Sequence, residues 1–444
     1  MTTPPAASPG RLRGRIARIG PEGLGGRAGW ATVVEVLQLA SSLLVFIVLA
    51  NLLTTADMGI MGAVLGAAVP VASLSGFGSH VLLIKRVAQG GHVADSWRRS
   101  TAIGLLGPAA GSLVMIAARP VLMPDIDPWT YGLLMVSQVN FFWLTELAVY
   151  LGNGSRRLKE AAQLRAMVVG CRFAALLAFA VLGEGRLLGW AIASFASFGL
   201  GAVLSLFYVW RVFGATPSIG QGSLADLREG LPYSVNAVSE SLVDVSDRPL
   251  LVNYGHAEDA GIYSVGGRII QFGYLPLRIL MRASDADLFE SGRQGVRSAL
   301  RLTRSLLLPA AAIGSTVGLA FALAAPLVPV LAGDKYDEAV EAIRLLAILP
   351  LVRGIQYLMG NCLSATDHQW WRVGATIAAA ALNFGLNLRL LPDGTWRTAV
   401  FTTIVSELFL TAFLAVAVYG WAWRERRGDD DERERSRSGL VGDG

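Results

Sequence analysis

The sequence predicts an all-α, multi-pass membrane protein of about twelve transmembrane helices in two halves of six. Three observations carry that prediction. Apolar residues make up 53% of the 444 and charged residues 16%, with a mean hydropathy of +0.50, outside the range of an ordinary soluble domain. The apolar residues gather in stretches of roughly 20, the length a helix needs to cross a hydrocarbon core about 30 Å thick. Hinges between the stretches alternate between rich and poor in Lys and Arg, as the retention of basic loops on the cytoplasmic side requires.

The first span, Gly29–Asn51, follows five arginines (Arg11, Arg13, Arg15, Arg18 and Arg27) and carries a single charge, Glu35. It is too long for the core of a signal peptide and no A-x-A-like site follows it, so it is expected to remain as a helix. Met58–Phe77, Thr101–Ala118, Trp129–Leu151, Ala161–Leu182 and Leu187–Trp210 complete the first half. The second half reads Leu231–Tyr254, Gly261–Met281, Ser305–Leu331, Val340–Leu363, Arg372–Leu391 and Thr398–Trp423. With the N-terminus cytoplasmic, the even-numbered hinges carry Lys85, Arg86, Arg98 and Arg99; Arg156, Arg157 and Lys159; Arg211 and Arg228; Arg282, Arg293, Arg297, Arg301 and Arg304; and Arg372. The odd-numbered hinges carry Arg119, Arg186, Lys335 and Arg397, with Arg389 close by. An error of one span would scramble this alternation, so both termini are placed on the cytoplasmic side of the cytoplasmic membrane.

The organisation that follows is a basic cytoplasmic N-terminus at 1–28, a six-helix bundle at 29–211, a cytoplasmic linker at 212–230, a second bundle at 231–423 and a charged, disordered tail at 424–444. Within the linker, the run from Ser223 through Asp226 has the pattern of a short capped helix at the membrane surface. The net charge of +5 is accounted for by the loops beside the spans, so no nucleic acid is expected as a partner. Cys171 and Cys362 lie in or at the ends of spans and suggest no disulfide framework.

Ionisable groups at membrane depth cost roughly 2.5–3.5 kcal/mol each at a helix centre, and this chain carries many. They are Glu35 in span one, Glu146 in span four, Arg165 and Arg172 in span five, and Glu240, Asp244, Asp247 and Arg248 in span seven. Arg268 and Arg278 follow in span eight, Arg344 and Arg353 in span ten, and Glu407 in span twelve. At about 100° per residue, Glu240, Asp244 and Asp247 share one helical stripe, with Arg248 a turn beyond Asp244 and able to pair with it. Depth matching about the hinge near Ala257 sets Asp247 opposite Arg268; the pair either fixes the hairpin or lines a polar cavity. Glu35 and Glu407 are candidates for proton or sodium coupling, since a half-desolvated carboxylate titrates nearer neutrality; pairing of Glu407 with Arg353 is the structural alternative. Glu146 and Arg278 lie nearer the cytoplasmic end, where Arg278 can snorkel. Pro70, Pro108, Pro276, Pro309 and Pro350 fall within spans and permit bending.

No phosphate-loop motif, no H-E-x-x-H and no cysteine-rich metal spacing occurs, and the four histidines are unclustered. No catalytic residue, metal or cofactor is therefore expected, and catalysis is the weaker class.

Several segments resemble the polysaccharide-export branch of the multidrug/oligosaccharidyl-lipid/polysaccharide exporter superfamily, the flippases of lipid-linked oligosaccharides. Val245-Ser-Asp-Arg-Pro-Leu-Leu-Val-Asn-Tyr254, followed by Ala260-Gly-Ile-Tyr-Ser264, looks like that family's D-R-x-x-[LI]…G-x-Y-S stretch at the seven–eight hairpin. Asp57-Met-Gly-Ile60 resembles its turn after span one, Gly76 to Arg86 its passage out of span two, and Gly333-Asp-Lys-Tyr-Asp337 its G-x-x-Y after span nine. The resemblance implies two six-helix bundles around a central cavity lined mainly by spans one, two, seven and eight, with alternating access. It places Glu35, Asp247, Arg248 and Arg268 near that cavity; acidic Glu240 and Asp244 depart from a uniformly cationic lining. The implied activity is translocation of a polyprenyl-diphosphate-linked glycan, with membrane lipids, a coupling ion, and the glycan polymerase and glycosyltransferases of the same pathway as partners. The competing readings are a drug or cation antiporter of the same fold, which the acidic stripe favours, and an integral-membrane polymerase, which the short external hinges disfavour.

Overall fold

The computed structural model describes residue 38 and residues 40–182 and 186–439 of the chain. Among them every regular element is a helix. Eight helices are long and apolar enough to cross a membrane: Thr55–Ser75, Val93–Leu122, Pro128–Gly154, Leu158–Leu182, Leu187–Phe213, Val296–Ala324, Gln369–Leu390 and Trp396–Arg427. They are spans two to six, nine, eleven and twelve. Span ten is the pair Asp334–Leu346 and Leu349–Ala365, bent by 41° at the break. Ala40–Leu52 is the described part of span one.

The two remaining spans are the polar ones. Span seven is Leu224–Val245 with Asp247–Asn253, and span eight is Ala257–Phe272 with Leu275–Gly292. Both are broken, and both carry the buried charges that the sequence singles out, which lowers their hydropathy. The helical, multi-span membrane fold of about twelve crossings is thus the fold observed. Large apolar side chains such as Leu113, Val181, Val330 and Val416 cover the outward faces, as lipid contact requires.

The breaks have local causes. Span two stops at Gly76 and resumes at Ser79, with Phe77 at φ 42° and Gly78 at φ 61°, a left-handed turn that glycine adopts without strain. Pro276 and Pro350 stand at the start of the helices that follow the breaks in spans eight and ten, where a missing N–H leaves nothing unsatisfied. Pro70, Pro108 and Pro309 remain inside continuous helices.

Three boundaries differ from the sequence reading. The Ser223–Asp226 capping box forms, but it opens span seven itself at Leu224 rather than a separate surface helix, so the connection after Phe213 is shorter than 212–230. Span nine begins at Val296, so Arg297, Arg301 and Arg304 ride on the helix. The tail expected to be disordered from Arg424 continues span twelve as helix to Gly439; its sequence sets opposite charges four apart, a spacing that favours a helix. Composition marks where hydrocarbon ends, whereas helix ends are set by caps and glycines, and the two need not coincide.

Span two packs against spans seven and eight, joining the first six spans to the last six. Spans two and eight approach closely where a Cβ on Gly59 would meet the Ala257 carbonyl oxygen at 1.9 Å and one on Gly261 the Thr55 carbonyl oxygen at 2.1 Å. These two glycines belong to the motif segments named above. Glycine at both positions lets the two backbones touch.

Candidate functional site

The buried apolar residues form clusters whose membership divides the molecule by depth. At the end of the short hinges, one cluster takes in Leu49, Leu53, Met123 and Tyr131 from the first six spans and Tyr263, Tyr336, Leu391 and Trp396 from the last six. At the basic end, the first six spans have their own cluster around Trp97, Leu147 and Val209, and the last six another around Leu300, Leu363 and Val418. The halves are therefore sealed together at one end and separately packed at the other. Hydrogen bonds reinforce the seal: Asn51 Nδ2 donates to the Leu331 carbonyl at 2.6 Å, Lys335 reaches the Leu53 carbonyl, and Asn253 Nδ2 donates to the Leu122 carbonyl at 2.6 Å. At the basic end the halves stay linked beside the chain connection, where Lys85 meets Glu229 at 2.7 Å and Arg86 meets Asp226 at 2.6 Å.

Between the halves lies a cavity of about 320 Å³, with walls from spans one, two, four to eight and ten. Five arginines line it, Arg172, Arg248, Arg268, Arg278 and Arg353, against one acidic residue, Asp244. Asp244 is already taken, since Arg353 Nη2 bonds its carboxylate. The other four arginines have no ion pair among the described residues. Arg172 lies over the Phe198 ring at 5.2 Å and Arg248 over Tyr263 at 5.6 Å. Arg268 feels the charge of Arg248, and Arg172 that of Arg268. The Nε atoms of Arg172, Arg248 and Arg268 are buried without a hydrogen-bond partner. Like charges gathered in one partly dry cavity repel each other more than they would in water. An anion between them relieves that repulsion and satisfies the free N–H groups, bidentately where a phosphate is concerned.

The acidic stripe of span seven does not act as a unit. Glu240 approaches Arg372 at 3.5 Å, Asp244 pairs with Arg353, and Asp247 is fully buried, accepting from its own Arg248 N–H at 2.9 Å and from Thr403 Oγ1 at 3.2 Å. Tyr263, whose hydroxyl lies 2.8 Å from the same Thr403 Oγ1, completes the surroundings of Asp247. Two expected pairs are therefore corrected. Arg248 does not pair with Asp244, because the helix is interrupted at Ser246 and Arg353 of span ten occupies the carboxylate. Asp247 does not meet Arg268, because Asp247 faces Tyr263, and residues five apart on span eight point about 140° away from each other. The motif aspartate and the motif tyrosine meet instead, inside the second half.

Glu407 is 1% exposed, bonds Arg353 Nη2 and accepts from Gln356 Nε2 at 2.8 Å. The anticipated Glu407–Arg353 contact is present, and Asp244 joins it. With Glu240 and Arg372, these groups border a second cavity of about 120 Å³ within the last six spans. Glu35 lies outside the described residues. Glu146 pairs with Arg165 at 3.1 Å, and Arg278, an exposed residue, lines two cavities. The sequence reading left Arg172, Arg278 and Arg353 out of the cavity; the missed signal was that each is an arginine within a span with no acidic residue within a helical turn on its own helix.

No family model matches the sequence, and no curated protein sequence matches it either. Solved structures do match in fold. An inward-facing multidrug resistance MATE family transporter of the MOP superfamily aligns with 87% of this chain and 95% of its own at a TM-score of 0.70 and 16% identity. An outward-facing MATE family transporter of that superfamily aligns at 0.61 and 15% identity, over 89% of this chain and 96% of its own. A MOP superfamily transporter from Pyrococcus furiosus Vc1 (DSM3638), for which reverse polarity of the binding pocket suggests a different function, aligns at 0.59 and 16% identity, over 88% and 94% of the two chains.

Proposed function

From the premise that the chain has the fold of MOP superfamily transporters, we propose that it is a secondary transporter that moves a polyprenyl-diphosphate-linked oligosaccharide or polysaccharide repeat unit across the cytoplasmic membrane. The single observation that carries the cargo's charge is the set of four arginines in the cavity between the halves that have no ion pair among the described residues. A diphosphate brings two phosphoryl groups, each able to accept from a guanidinium fork, into a site where water no longer competes. The lipid tail needs no cavity, since it stays in the bilayer while the head group crosses.

Alternating access follows from the two differently packed ends. The separately packed basic end, cytoplasmic by the positive-inside rule, admits the head group. The sealed end opens when the two six-helix bundles rock apart there, including at the contact of span two with span eight, while the Lys85–Glu229 and Arg86–Asp226 links close up the basic end. Arg268, Arg248 and Arg172 hold the diphosphate. Asp247 positions Arg248 through the backbone of span seven instead of touching the cargo. Asp244, Arg353 and Glu407 carry one more negative charge than positive when ionised, so a proton or a monovalent cation restores neutrality there; Glu407 and Glu35 are the proposed coupling carboxylates.

The reading of a drug or cation antiporter rests on the acidic stripe, and that stripe is consumed by Arg353, Arg372, Thr403 and Tyr263. Deleting the gene separates the two. The expected result is lipid-linked glycan accumulating on the inner leaflet with unchanged sensitivity to cationic drugs. Altered drug sensitivity with normal surface glycan contradicts the proposal.

A further inference from the structure

A cavity of about 310 Å³ at the basic end has a different chemistry from the arginine cavity. It lies beneath that cavity, and Arg278 lines both. Four aromatic rings border it: Phe142, Trp143 and Tyr150 of span four, and His80 of span two. The His80 ring stands 5.0 Å from those of both Trp143 and Tyr150. Glu146 and Arg165, paired at 3.1 Å, and Gln38, which accepts from Arg165, supply the polar wall.

We infer that this cavity is a saccharide subsite, taking the sugar ring or rings attached to the diphosphate. The inference rests on the diphosphate reading of the arginine cavity and deepens it. A pyranose presents an apolar C–H face and a rim of hydroxyls, so it needs aromatic surface and bidentate polar groups side by side. The diphosphate has no use for four aromatic rings, and a polyprenyl chain none for a half-buried Glu–Arg–Gln set. A cationic ligand is disfavoured because Arg165 neutralises Glu146 and Arg278 adds a positive charge. The volume lies at the lower end of the range of about 300–1,000 Å³ for small-molecule sites. The sequence of chemistry also fits: the sugar is bonded directly to the diphosphate, and the two cavities meet at Arg278.

The test uses the full chain in lipid nanodiscs and two probes. One is the lipid-linked glycan accumulated by the deletion strain, the other the matching polyprenyl diphosphate without a glycan, added back to lipid extracted from that strain. Wild type is expected to bind the first about tenfold more tightly than the second. Tyr150→Leu and Glu146→Gln should each lose that advantage and bind the bare diphosphate as wild type does, which also shows that they are folded. Equal binding of both probes by wild type, or equal weakening of both by the two variants, overturns the subsite and leaves the diphosphate reading standing. Failure of wild type to bind either probe, or unchanged binding of the bare diphosphate by Arg268→Gln, removes the premise and the subsite with it.

Discussion

At the scale of single residues, Arg268 and Arg353 show two opposite uses of a guanidinium in a membrane. Arg268 is held among like charges with no acidic partner among the described residues, an arrangement that favours an anionic guest. Arg268→Ala is expected to abolish glycan export while the protein still inserts and is present at wild-type level; normal export by that variant removes Arg268 from the mechanism. Arg353 has two carboxylates and the Tyr274 ring, 4.7 Å away, and stabilises the last six spans. Arg353→Met leaves Asp244 and Glu407 without a counter-charge and is expected to destabilise by about 3–5 kcal/mol. Adding Glu407→Gln should recover part of that loss, measured as the unfolding midpoint of the purified protein. An unchanged midpoint for Arg353→Met would show the trio to be slack. The buried charges were legible in the sequence because their cost demands a reason. Their pairings were legible only in part: the Glu407–Arg353 contact was expected, but Asp244 and Arg353 are 109 positions apart, and no periodicity on one helix reports a partner on another.

At the scale of elements, the positions that matter are the contacts of span two with spans seven and eight. Gly59 and Gly261 leave no space for side chains, and each sits against a backbone carbonyl that cannot move aside. Gly261→Val is expected to push spans two and eight apart and open the seal. The readout is labelling of a cysteine placed at Ser264 by a membrane-impermeant thiol reagent from outside, in a background lacking Cys171 and Cys362. Labelling no faster than in the glycine parent would show that the contact is not part of the seal. Span existence and order were legible throughout, from apolar length and alternating charge. The breaks in spans two, eight and ten, the extension of span nine back to Val296 and the helical continuation beyond Arg424 were not, since hydropathy says where a helix can lie in lipid and nothing about where its hydrogen bonding stops.

At the scale of the whole molecule, a fold sealed at one end and parted at the other is, on the proposed function, one of the two states the protein visits. Cysteines replacing Asn253 and Leu122, in the same cysteine-free background, are expected to crosslink across the seal. Transport should then stop and return on reduction; full transport by the crosslinked protein would mean that this end never opens. The central claim is that the arginine cavity carries the anionic head group across. The most direct measurement is movement of the purified lipid-linked glycan across proteoliposomes containing wild type or a variant with Arg172, Arg248 and Arg268 all changed to Gln. The account requires that the glycan reach the opposite leaflet with wild type and stay behind with a variant that keeps the wild-type unfolding midpoint. Equal rates for the two proteins would contradict it.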